Sequence, residues 1–82
     1  MRYIDSTARI ENSNLAENVR IYKHVDIREC TIEDEAIVGD FCRIEKTSMG
    51  RFTQVYPNGI MYCSTLDDYS YIQKNCSVWH TS

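Results

Sequence analysis

Glycine and proline are scarce in this sequence, at three residues and one in 82, and there is no low-complexity stretch. That excludes a collagen-like or disordered chain. No two Lys or Arg residues are adjacent, and the net charge is -3, so no basic field exists to draw in a phosphate backbone, and no nucleic-acid partner is expected. No apolar run approaches the roughly 20 residues of a membrane span, and Met1–Asp5 lacks the apolar core of a secretory signal. The expectation is a soluble, cytoplasmic chain without a membrane partner. Cys30, Cys42, Cys63 and Cys76 form no C-x-x-C pair, which leaves no start for a zinc site. In a chain without a secretory signal they are expected to be reduced, buried thiols.

What the sequence does contain is a repeat of 17 residues. Blocks open at Ile4, Ile21, Val38, Val55 and Ile72, and three columns are aliphatic in every block. The first column holds those five residues. The seventh holds Ile10, Ile27, Ile44, Met61 and Val78, and the twelfth Leu15, Ile32, Met49 and Leu66. Fourteen of the nineteen Ile, Leu, Val and Met residues fill these columns, so chance placement is not a competitor. Aliphatic residues five or six apart fit neither a helix of period 3.6 nor the alternation of a half-buried hairpin. They fit a triangular coil with one short strand per side, with successive coils stacked as parallel strands about 4.8 Å apart. The predicted fold is all-β: a single-stranded parallel β-helix of about five 17-residue coils, forming one domain over residues 1–82.

Other columns agree with this register. Small residues recur where a narrow corner turns inward: Ala8, Val25, Cys42, Gly59 and Cys76 in the fifth column, Ser13, Cys30, Thr47, Ser64 and Thr81 in the tenth, and Val19, Ala36, Thr53 and Ser70 in the sixteenth. Outward columns alternate in charge, with Arg9, Asp26 and Arg43 in the sixth and Glu11, Arg28 and Glu45 in the eighth. In-register stacking of opposite charges contributes a few tenths of a kcal/mol per pair, roughly. Pro57-Asn58-Gly59 reads as a turn in which glycine takes positive φ, and the apolar Ile60 in a charged column suggests a local bulge or small loop.

The segments IDSTAR at Ile4, LAENVR at Leu15, VGDFCR at Val38, MGRFTQ at Met49 and LDDYSY at Leu66 resemble the hexapeptide repeat of the left-handed parallel β-helix acyltransferases. SMGRFTQV followed by LDDYSYIQKNCSVWHTS looks most like the early coils of the xenobiotic or streptogramin type of acetyltransferase. The left-handed coil is an implication of this resemblance, since general chain physics favours right-handed crossovers. The resemblance also implies an acetyl-CoA-dependent transfer to a hydroxyl or amine, run by a loop histidine at the cleft between subunits of a trimer. Neither that loop nor the CoA-binding coils has a counterpart here. The expectation is therefore the N-terminal β-helix portion of an acetyltransferase, truncated before its catalytic coils and inactive alone. The alternative is a non-catalytic trimerising or scaffolding β-helix module.

No catalytic, cofactor-binding or metal-binding residue is assigned. His80 is the nearest approach to a general base, but it does not match the family's histidine motif and reads as a surface or corner residue. His24 is expected to stack on the next aromatic of its column, Phe41. Glu33-Asp34-Glu35 reads as a solvated corner. The informative set is aromatic: Phe52, Tyr56, Tyr62, Tyr69, Tyr71 and Trp79 concentrate after residue 50, as they would to line a subunit interface or an acceptor cleft, the plainer alternative being cover for the irregular fourth coil. A homo-oligomer, a trimer in preference, is the expected partner.

Overall fold

The computed structural model describes residues 2–74 and the backbone of 77–79, with the side chain of Val78. It contains only short strands, three to a coil. The first coil has β1 (Tyr3–Ile4), β2 (Arg9–Glu11) and β3 (Asn14–Leu15), and the second has β4 (Arg20–Ile21), β5 (Asp26–Arg28) and β6 (Thr31–Ile32). The third has β7 (Ile37–Val38), β8 (Arg43–Glu45) and β9 (Ser48–Met49), and the fourth β10 (Gln54–Val55), β11 (Ile60–Tyr62) and β12 (Thr65–Leu66). Above them lie β13 (Tyr71–Ile72) and β14 (Ser77–Trp79). The described stack is thus four complete coils and two sides of the next, slightly fewer than the five expected.

Each strand from β1 to β11 pairs in parallel with the strand three elements on, giving three sheets in the orders β1-β4-β7-β10-β13, β2-β5-β8-β11-β14 and β3-β6-β9-β12. The register is 17 residues throughout: Ile4 pairs with Ile21, Ile27 with Ile44 and Ile32 with Met49. These are the coils of a left-handed parallel β-helix.

The three aliphatic columns are the core. Ile21, Ile27, Ile32, Val38, Ile44, Met49, Val55 and Met61 are at most 1% exposed. Column members in the first coil and at the top, such as Ile4 and Ile72, are half-buried because no coil covers them on one side. The small columns turn inward as expected, with Val19, Val25, Cys30, Ala36, Cys42, Thr47, Thr53 and Ser64 all buried.

The tenth column also explains its chemistry. Ser13 Oγ donates to Glu11 O at 2.8 Å, Cys30 Sγ to Arg28 O at 3.0 Å, Thr47 Oγ1 to Glu45 O at 2.8 Å and Ser64 Oγ to Tyr62 O at 3.0 Å. At this corner a short side chain with one donor adds a hydrogen bond to the carbonyl two residues back, which alanine could not do.

In the second to fourth coils each corner turns through a left-handed residue, as does the second corner of the first coil at Asn12, and none of these is glycine. Positive φ occurs at His24, Phe41 and Asn58 in the fourth column, at Asn12, Glu29, Lys46 and Cys63 in the ninth, and at Glu35, Phe52 and Tyr69 in the fifteenth. At these positions the amide turns back to the preceding coil: Phe41 N donates to Lys23 O at 2.8 Å, and Lys46 N to Arg28 O at 2.9 Å. Strand amides instead donate to the following coil, as Asp26 N does to Cys42 O at 2.9 Å. The ladder in both directions holds a conformation that costs an L-residue about 1–2 kcal/mol.

Two expectations for the fourth coil need correction. Positive φ falls on Asn58 (64°), not Gly59. Gly59 is required for closeness instead, since a Cβ there would sit 2.8 Å from Val55 Cγ1. Ile60 makes no bulge: it pairs in register with Arg43 and simply faces outward, 37% exposed. Hydrogen bonding to the coils below and above overrides the local turn preference. The thiols divide as well. Cys30 and Cys42 are free and buried, whereas Cys63 is free but only half-buried, because it occupies the outward-leaning ninth column. Cys76 lies outside the described residues.

Candidate interaction faces

A three-sided prism offers three flat faces and three corners, and the sequence decorates each differently. The face of β1-β4-β7-β10-β13 carries a run of aromatic side chains, with Asp5, Arg20 and Gln54 among them. Tyr3 and Tyr22 meet at 5.6 Å between ring centroids at its lower end, and Tyr56 and Tyr71 at 6.2 Å at its upper end. Between them Gly39 leaves a groove of about 320 Å³, lined by Tyr22, Ile37, Gln54, Tyr56 and Pro57. A Cβ on Gly39 would lie 2.9 Å from Pro57 N, so the close approach of the next coil requires glycine here, and no side chain rises from this position into the groove.

The corner leading onto that face carries Phe52 and Tyr69, stacked at 5.1 Å with planes 3° apart. Phe52, Tyr69, Tyr71 and Tyr56, at 47%, 73%, 60% and 43% exposed, run from that corner across the upper half of the face. Of the aromatics singled out in the sequence, these four share a region. Tyr62 stands apart on β11, half-buried, with Lys46 Nζ 5.9 Å from its ring centroid. The Trp79 side chain and His80 lie outside the described residues. Sequence reasoning missed Tyr3 and Tyr22, whose signal was present: they flank the first aliphatic column one coil apart, as Tyr56 and Tyr71 do in the opposite order.

The corner between the first two strands of each coil holds His24, whose ring stacks on Phe41 at 5.1 Å. Its backbone amide donates to Thr7 Oγ1 at 2.9 Å, and that hydroxyl donates to Asp5 Oδ2. Hydrogen bonds from Thr7 hold the Asp5 carboxyl below its usual value. Tyr3 donates to Asp5 Oδ1 at 3.1 Å, so the same carboxylate pushes the Tyr3 hydroxyl up. Burial raises the thiols of Cys30 and Cys42, which suits core packing and opposes nucleophilic use.

The face of β2-β5-β8-β11-β14 is charged over its lower three coils. Arg28 Nε lies 3.7 Å from Glu11 Oε1 and 4.0 Å from Asp26 Oδ1, and a shallow concavity of about 190 Å³ lies among Asp26, Arg28, Arg43 and Glu45. The third face, β3-β6-β9-β12, presents Asn14, Thr31, Ser48 and Thr65. At its edge Arg51 Nε lies 4.0 Å from Asp68 Oδ2. The acidic corner behaves as a solvated turn: Glu33 and Glu35 are exposed, and Asp34 accepts the Asn18 amide at 3.4 Å.

Among the described residues no three His, Cys, Asp or Glu side chains gather as a metal site, and no helix is long and apolar enough to cross a membrane. What the arrangement offers is surface: one aromatic strip and one charged face on a rigid prism. No family model matches the sequence, and no curated protein matches it.

Proposed function

We propose that this chain is a coil stack of the hexapeptide-repeat acyltransferase type whose task is to hold copies of itself together, as a trimer. It takes part in acetyl transfer as scaffold, without supplying the catalytic histidine. The observation that carries this reading is the exposed strip of Phe52, Tyr69, Tyr71 and Tyr56. Large rings clustered on one region of a small rigid surface suit a buried contact and are costly to leave in water. Acetyl-CoA is the donor that the resemblance assigns to the parent enzyme, and the transfer from it would be carried out by parts of that fold this sequence does not match. The reading of a purely structural module, with no enzyme attached, shares the same strip and the same test.

Sedimentation equilibrium tests it. The wild-type chain should form an oligomer of three copies, and Tyr56→Ser/Tyr71→Ser should dissociate it while the strand signal in circular dichroism persists. A monomeric wild type would overturn the assembly role. Titration with acetyl-CoA should leave the melting temperature unchanged at millimolar ligand, and a saturable rise would place a cofactor site within these coils.

A further inference from the structure

On the face of β2-β5-β8-β11-β14, each of the lower three coils presents one cation and one anion, two residues apart. The sequence of signs is Arg9 and Glu11, then Asp26 and Arg28, then Arg43 and Glu45. Alternation up each column favours in-register coils. Stacking does not, however, require the two columns to alternate in opposite phase, so that every coil carries both signs. That phase makes the face a checkerboard.

A checkerboard of this form is complementary to itself in one orientation. A two-fold axis lying between two copies and running along the coil stack exchanges the outward column before the core residue with the one after it, coil for coil. Arg9 then meets Glu11 of the partner subunit, Asp26 meets Arg28 of the partner subunit, and Arg43 meets Glu45 of the partner subunit. One coil higher, the outward Ile60 meets Tyr62 of the partner subunit, apolar against apolar. With the axis across the coils and centred on the second, like charges face each other instead. Shifting that antiparallel arrangement by half a coil restores only two charged coils and sets the first against Ile60 and Tyr62.

We infer that this face is an isologous dimer interface for a second copy of the chain, with the two coil stacks parallel and coil matched to coil. Opposed sheets pack about 10 Å apart, within reach of arginine and glutamate side chains. One face of so small a prism lies at the low end of specific interfaces, about 1,000 Å² in total. Its charges are largely exposed, so the dimer is weak, with orientation set by electrostatics more than affinity. The interface does not use the aromatic strip, and it stands or falls separately from the trimer.

The test is sedimentation equilibrium at low ionic strength in the Tyr56→Ser/Tyr71→Ser background, which removes the strip. A monomer–dimer equilibrium is expected, weakened tenfold or more by 1 M NaCl. Arg43→Glu should also weaken it at least tenfold, by opposing acids in the third coil. Arg43→Glu/Glu45→Arg should restore it, because the swapped coil is still complementary across the parallel axis, although its alternation with Asp26 and Arg28 within the chain is destroyed. A monomer in the strip-free background, a dimer indifferent to Arg43→Glu, or a double variant no better than the single one would each overturn the inference. The last outcome would also point to the antiparallel arrangement. Circular dichroism of each variant shows whether the coil stack is retained.

Discussion

Phe52 and Tyr69, 17 positions apart, stack with ring centroids at 5.1 Å and planes 3° from parallel, and both hold left-handed backbone conformations at the same corner of successive coils. The stack covers a strained turn with a ring from the coil above. A double-mutant cycle with Phe52→Ala and Tyr69→Ala should therefore give a favourable coupling of about 0.5–1.5 kcal/mol in chemical unfolding. Additive effects would mean that the rings are neighbours without interacting.

Corner strain can be tested where no ring is involved. Glu35 (φ 65°) and Glu33 are both exposed, and only Glu35 is left-handed. Valine resists that conformation most strongly. Glu35→Val should destabilise by at least about 1 kcal/mol, while Glu33→Val stays within about 0.5 kcal/mol. Equal losses would remove the argument for strained corners.

The three described thiols should separate by reactivity. In a Cys76→Ser background, Cys63 should react with a disulfide reagent in the native state. Cys30 and Cys42, buried and with raised pKa, should react only on unfolding. Rapid native labelling of Cys30, mapped by mass spectrometry, would contradict the inward tenth column.

Asp5 gives a pH dependence of known sign. Its carboxyl is held below the ordinary 3.8 by Thr7. The stability it contributes is complete above that ordinary value and lost as pH falls through the lower folded value. The advantage of wild type over Asp5→Asn in unfolding experiments should be largest at neutral pH and shrink below about pH 3.8. An advantage that grew in acid would reverse the assignment.

The fold was legible because a β-helix repeats its packing problem every 17 residues. Ile27 and Ile44 meet the same neighbours and so must be the same kind of residue, and Arg28 must answer Glu11 below and Glu45 above. The corners were less legible. A single turn with φ > 0 is usually betrayed by glycine, but here Phe41, Lys46 and Tyr69 take that role, held by amides bonded to the coil below. No local pattern records such a bond. The same effect moved the left-handed residue from Gly59 to Asn58 and kept Ile60 in register. The aromatic region was half legible: Tyr56 and Tyr71 stand out in the sequence, but the groove between Tyr22 and Tyr56 joins residues of three coils, among them Gly39 and Pro57.

The first coil also uses a side chain where the other coils use a neighbour's amides. Arg2 Nη2 donates to Leu15 O at 3.0 Å and Ala16 O at 3.2 Å, and Leu15 O is the equivalent of Ile32 O, which accepts the Ala16 amide.

The central claim is that the aliphatic residue of each short strand faces a shared axis while its immediate neighbours point away from it. Ile44 is fully buried, and Glu45, next in sequence, points outward. Chemical denaturation of Ile44→Asp and Glu45→Ala measures this directly. The account predicts a loss above about 3 kcal/mol, or failure to fold, for the first, and a loss within about 0.5 kcal/mol for the second. Small, equal losses at both positions would contradict it.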